Sequence, residues 1–262
     1  VWRGDRDGDD TWAFEEGSDT LQVNGGSTVD VFNISQDAGT LVVSQTSGSI
    51  RLEGDPTGFA AGVEVVEING NGGNDRININ QIDNVGFFAL SINGGSGDDI
   101  IDGQNVLIGN VAVFIDGGAG DDTITGTAGT DNINGGDGND NIVSWAGDDF
   151  VRAGAGDDFV DADGGDDQIL GEDGNDTIFG GNGNDSIEGG FGNDSILAGD
   201  GNDTVKAGFG DDFVLGDLGN DLIEGMAGRD VLIGAAGDDT LDGGRNDDTL
   251  IGNSGDDEIR VI

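Results

Sequence analysis

Gly180-Gly181-Asn182-Gly183-Asn184-Asp185-Ser186-Ile187-Glu188 is one of sixteen nine-residue units that follow one another without gap from Gly117 to Arg260. The sixth residue of each unit is Asp in all sixteen: Asp122, Asp131, Asp140, Asp149, Asp158, Asp167, Asp176, Asp185, Asp194, Asp203, Asp212, Asp221, Asp230, Asp239, Asp248 and Asp257. The eighth is Ile, Leu or Val throughout. The fourth is Gly in fifteen units, with Asn246 the exception, and the fifth is Asp or Asn in fourteen, with Thr130 and Arg229 the exceptions. A fixed short period decides the architecture ahead of any single residue.

Each slot has a physical reading. Gly at the fourth slot suits a backbone with positive φ, and Asn is the substitute that such a site tolerates best. Slots one to six therefore form a turn. Slots seven to nine form a short strand, with the aliphatic at slot eight pointing inward and its neighbours outward. One unit cannot bury its single aliphatic alone, whereas stacked units can, so the expected fold is a solenoid.

The ninth slot adds a second period. It reads Glu188, Leu197, Lys206, Leu215, Glu224, Ile233, Asp242, Ile251, Arg260, alternating charged and aliphatic. Units two apart share an environment, so one coil is 18 residues, two nonapeptides per turn. The expected fold class is all-β, a parallel β-roll solenoid of two sheets with turns along both edges. Phe179, Leu197, Leu215, Ile233 and Ile251 then form an apolar stripe on the face of the odd-numbered units, with Phe159, Phe213 and Val231 beside it. The other face is charged.

These motifs resemble the calcium-binding nonapeptide of repeats-in-toxin (RTX) proteins, and the resemblance covers 144 of 262 residues. It implies a parallel β-roll of secreted bacterial proteins. It also implies Ca2+ held between a turn and the one 18 residues later, for example Asp122 and Asp140, by both aspartates and by carbonyls of the Gly-rich loops. Fourteen such inter-turn pairs are available. The residues support the ion independently. Asp and Asn in turns commonly cap their own backbone. That does not explain one slot filled by Asp in every unit, because stacked carboxylates about 5 Å apart repel by roughly 1 kcal/mol even in water. A hard cation among oxygen ligands removes the repulsion.

Upstream the frame loosens. Gly8-Asp9-Asp10-Thr11-Trp12 and Gly17-Ser18-Asp19-Thr20-Leu21 are nine apart. Turn clusters then fall near Gly25-Gly26, Gly48, Gly72-Gly73, Gly95 and Gly118, about 23–24 residues apart. Strand-like runs lie between them: Val29–Ile34, Thr40–Val43, Ile50–Glu53, Val63–Ile68, Val85–Ile92, Val106–Ile108 and Val111–Ile115. Three segments follow: a degenerate nonapeptide-like start over 1–22, wider and degenerate parallel β-helix-like coils over 23–116, and the β-roll over 117–262. A separate antiparallel sandwich is the other reading of the middle segment. Asp75 and Asp99 keep the calcium-type turn and join the candidate ligands.

Composition bounds the function. The 54 acidic against 9 basic residues give a net charge of −45, which repels nucleic acid and anionic membrane surfaces. No apolar run reaches the length of a membrane span. There is no Cys and no His, which excludes disulfides, a Ser-His-Asp triad and thiolate or imidazole metal sites. An enzyme is not expected. An ice-binding roll, which presents Thr at the third slot, is excluded because that slot carries none. The expected function is a calcium-folded structural or adhesive module, secreted or at the surface of a bacterium. Self-association is expected, end to end or through the apolar face. The alternative is the calcium-folding, secretion-assisting module of a type I-secreted enzyme or toxin. A chain beginning at Val1 is expected to be a processed product, a fragment or a domain of something longer.

Overall fold

The computed structural model describes residues 2–3, 10–12, 19–24, 30–37, 40–45, 48–52, 63–79, 89–104 and 112–260. The expected run Val106–Ile108, the start of Val85–Ile92 and the turn at Gly25-Gly26 lie outside them. The chain divides into two compact units, Val1–Asn132 and Ile133–Ile262. Every described regular element is a β-strand.

In the first unit, strands Asp19–Asn24, Val63–Asn69, Ala89–Ser96 and Ala112–Ala119 pair in parallel along one sheet. Val31–Asp37, Arg76–Ile79, Ile100–Asp102 and Thr123–Thr125 do the same along another. Leu90 pairs with Val113 and Ile77 with Ile101, steps of 23 and 24 residues that match the spacing of the turn clusters from Gly72 onward. Leu21 pairs with Val66 and Val31 with Arg76, steps of 45, so the expected coil turn near Gly48 is absent and Gly48 instead begins the antiparallel strand Gly48–Leu52. The unit departs from parallel pairing at one place. Val31–Asp37 pairs antiparallel with Thr40–Gln45, which pairs antiparallel with Gly48–Leu52. The cause is in the sequence, since only two residues separate each strand from the next. A parallel crossover needs a dozen or more, and a hairpin needs two.

In the second unit all described ladders are parallel with a step of 18. One sheet contains Phe150–Ala155, Gln168–Asp173, Ser186–Phe191, Thr204–Phe209, Leu222–Ala227, Thr240–Asp242 and Glu258–Arg260. The other contains Asn141–Val143, Phe159–Asp161, Thr177–Asn182, Ser195–Asp200, Phe213–Leu218, Val231–Ala236 and Thr249–Ser254. The eighth slots from Ile142 to Leu241 are buried between the sheets, while Ile259 is 46% exposed. Each buried aliphatic contributes roughly 1.5–3 kcal/mol. The outward ninth slots stand in register, Phe179 beside Leu197, Leu215, Ile233 and Ile251.

The fourth slot has the expected backbone in most units, with φ of 138° at Gly183 and 87° at Asn246, while Gly129 and Gly228 are not among the positive-φ residues. The second slot is left-handed as well. Its occupants Trp145, Asp163, Glu172, Asp217, Met226, Ala235 and Asn253 all have φ between 66° and 83°. This costs roughly 1–2 kcal/mol per non-glycine residue, so the turn geometry is imposed on the sequence by stacking.

Candidate metal centre

The sixth-slot aspartates close each turn, and one of their two oxygens is engaged by the backbone. The N–H of Asp158 donates to Oδ1 of Asp176 at 2.9 Å, Asp176 to Asp194 at 2.9 Å, and Asp194 to Asp212 at 2.9 Å. The same bond joins Asp140 to Asp158 and Asp212 to Asp230, and Asp230 reaches Asp248. On the other edge it runs from Asp149 through Asp167, Asp185, Asp203, Asp221 and Asp239 to Asp257. In the first unit it joins Asp75 to Asp99 at 2.6 Å and Asp99 to Asp122 at 2.7 Å. Asp30 heads that column, with its N–H on Asp75 Oδ1 at 2.6 Å. Sequence reasoning missed Asp30, whose only signal is its place just before the strand Val31–Asp37.

The second oxygen is not engaged. Oδ2 of Asp75 and Asp99, and of every column aspartate from Asp158 to Asp248, is buried and accepts no hydrogen bond. Buried carboxylate oxygens are costly to leave unpaired. A backbone carbonyl of the following coil converges on the same place. A Cβ on Gly225 would fall 2.5 Å from Asp230 Oδ2 and 2.7 Å from the Gly243 carbonyl. Glycine at the first slot therefore keeps open a small space bounded by oxygen. Among the described residues no three acidic side chains converge on one point. Each step thus offers two carboxylates, and the remaining donors are carbonyls, a hard oxygen set that suits calcium.

Charge state follows from this burial. Burial pushes the carboxyls of Asp158 and Asp167 up to about 7, against the downward pull of one backbone N–H, and neighbouring carboxylates add to the rise. Asp99, Asp185, Asp194, Asp212 and Asp230 are raised to about 6 by the same cause. Without a cation, the folded chain holds these groups against their preference for water.

Asp131 is different. Thr127 occupies the second slot of its turn and is absent from the left-handed residues, as expected for a β-branched side chain. Its N–H donates to Asp131 Oδ2 at 2.6 Å and its hydroxyl to Asp131 Oδ1 at 2.9 Å. Both oxygens of this carboxylate are thereby taken within the turn, although the repeat frame places Asp131 with the other ligands. Burial still raises its pKa to about 6.

A second ladder runs outside the first, in the opposite sense. Where the preceding coil carries Asp or Asn, the fifth-slot N–H donates to its side-chain Oδ1, as from Asp157 to Asn139, Asn175 to Asp157 and Asn193 to Asn175. At Asp211 the partner is Arg229, which donates from both its side chain and its backbone and lowers the Asp211 pKa.

Comparison with protein families finds the RTX calcium-binding nonapeptide repeat (4 copies) at residues 91–105, 114–142, 146–178, 161–196, 170–205, 188–223, 215–250 and 224–259, more than half of the chain. The chain belongs to the RTX calcium-binding nonapeptide repeat family. RTX nonapeptide repeats bind Ca2+, and the buried, stacked aspartates fit that ion. The comparison with curated proteins returns no match. The RTX match includes residues 91–105, so it reaches the turn that carries Asp99 in the wider coils. No described helix is long and apolar enough to cross a membrane.

Proposed function

We propose that this RTX chain is a calcium-folded structural or adhesive module of a secreted or surface-exposed bacterial protein, with no catalytic site of its own. The proposed ligands are Asp75, Asp99 and Asp122 in the first unit and the two aspartate columns of the second unit. Asp131 is left out because Thr127 already holds it. The observation that carries the proposal is the row of buried Oδ2 atoms with no hydrogen bond. Ions between successive turns neutralise two carboxylates per step and turn binding free energy into folding free energy. RTX proteins are typically exported by type I systems, and extracellular modules bind calcium with a Kd of about 0.1–1 mM. Such a chain stays unfolded at cytoplasmic calcium and folds outside.

Self-association through the apolar face is part of the proposal. Ile251 is 41% exposed, Phe159 36% and Phe213 38%, and the Phe159 and Phe179 rings lie 5.5 Å apart. A contiguous apolar patch of this kind marks a contact surface more often than scattered apolar residues do.

Circular dichroism with and without chelator tests the folding claim. Disorder in chelator and cooperative gain of β signal in millimolar calcium are expected. A fully folded, chelator-resistant roll would refute it. Light scattering of a Leu215→Lys, Ile233→Lys variant tests the face, and unchanged assembly would remove it.

A further inference from the structure

Phe191 and Phe209 occupy the third slot of successive coils on one edge of the second unit. The neighbouring positions in that column are Asp173 and Ala227, neither of them aromatic. The two rings are stacked, with centroids 5.0 Å apart and planes 10° apart, and they are 58% and 54% exposed. Two bare phenyl rings gain little by facing water, and a row of Asp or Ala would complete the turn equally well.

The rings end a groove. A cleft of about 490 Å3 runs across four coils, lined by Asn134, Asp137, Glu172, Asp173, Glu188 and Phe191 among others. Phe209 covers one face of the Phe191 ring, and the Asp173 side of the ring belongs to the groove. Arg152 donates to Glu172 from Nε at 2.9 Å and Nη2 at 2.6 Å, so that carboxylate is neutralised. Asp137, Asp173 and Glu188 are exposed and have no ion pair among the described residues. Four coils at strand spacing span about 15 Å, the length of roughly four or five extended residues.

We propose that this groove docks an extended, basic segment of a partner protein, with one Arg or Lys side chain lying on the open face of Phe191. A cation over a phenyl face is attracted by the ring quadrupole, and carboxylates beside it add charge complementarity. The same carboxylates reject an acidic partner, a second copy of this chain included. The groove lies on the outer surface of one sheet, and none of the proposed aspartate ligands lines it.

The test is fluorescence anisotropy of labelled hexa-arginine and hexalysine with the full chain in millimolar calcium. Circular dichroism confirms that each variant is folded. Phe191→Leu keeps the apolar bulk and removes the ring, and weakens binding about three- to fivefold. Asp173→Asn with Glu188→Gln weakens it by at least as much. Asp200→Asn with Asp217→Asn removes the same charge at the opposite edge, and changes affinity by less than about twofold. Unchanged binding by Phe191→Leu overturns the proposal, as does an equal loss in the opposite-edge control, which reports only the field of an acidic protein. Displacement of the peptide by a neutral glucose oligomer also overturns it, assigning the groove to saccharide.

Discussion

Asp194→Asn is expected to stabilise the chain without calcium and destabilise it with calcium. The substitution keeps the Oδ1 acceptor for the Asp176 N–H, a 2.9 Å bond, and leaves the backbone bond from Asp194 to Asp212 in place. It removes one buried charge, at the Oδ2 that faces the first-slot space beside Gly189 and accepts no hydrogen bond. Burial raises this carboxyl from 3.8 to about 6. A shift of this size corresponds to a charge penalty of about 3 kcal/mol at neutral pH before screening, and water at the turn edge reduces it to about 1–2 kcal/mol. The calcium-free fold gains that amount in the variant. With calcium the balance reverses, because Asp194 faces two inter-turn steps, toward Asp176 and toward Asp212. At about 10 mM ion and a Kd of about 0.1–1 mM, two sites supply about 3–5 kcal/mol in total, much of which the variant forfeits. Urea unfolding in calcium measures one arm. Osmolyte-induced folding in chelator measures the other, since excluded osmolytes favour burial. Equal stability of variant and wild type in calcium, or a higher osmolyte requirement of the variant in chelator, refutes the reasoning.

Three other outcomes are expected. In chelator the fraction folded rises as pH falls from about 7 toward 4, because carboxyls with raised folded-state pKa values bind protons more tightly folded than unfolded; the charge penalty is full above the folded values of about 7 at Asp158 and about 6 at Asp194, and is lost below the reference 3.8. In calcium the same protons compete with the ion, so apparent affinity falls over that window, and both trends are read by circular dichroism across pH. Ile196→Ala, at a side chain with no exposed surface, lowers stability in calcium by about 2–5 kcal/mol in urea unfolding. Met226→Gly, at φ 70° on an exposed turn, raises the thermal midpoint in calcium by relieving about 0.5–1 kcal/mol of backbone strain, and a lowered midpoint contradicts that account.

The sequence declares those slots whose chemistry admits few residues. The eighth slot must be aliphatic to fill the space between the sheets. The sixth must bear a carboxylate, and the fourth must tolerate positive φ, so Ile196, Asp194 and Gly183 each point to one role. The wider coils from Gly72 onward are legible through the spacing of their turns, because register between parallel strands equals coil length; the step of 45 residues from Val31 to Arg76 is not, because a hairpin excursion is inserted in it. The second slot is hidden because Trp145, Glu172 and Met226 adopt a conformation that their side chains disfavour. Only the stacking of whole coils enforces it. Thr127 looks like one more polar turn residue, and its capture of Asp131 follows from a backbone conformation that the repeat frame does not predict. The antiparallel excursion from Val31 to Leu52 was open to detection in the short connections, since the five and six residues between the expected runs are too few for a parallel crossover. The Phe191 and Phe209 pair stands in a slot whose composition varies too much to suggest a surface.

The two oppositely directed hydrogen-bond ladders give the second unit the character of a zipper. Every interior coil is tied to both neighbours, its sixth-slot N–H reaching forward to the next coil and its fifth-slot N–H reaching back, as at Asp158 and Asp157. A bubble opened in the middle severs these ties at two interfaces, whereas fraying at an end severs them at one. In such a nearest-neighbour array the cheap excursions start at the termini and travel inward. Amide hydrogens near Asp194, tied on both sides, are therefore among the last to meet solvent.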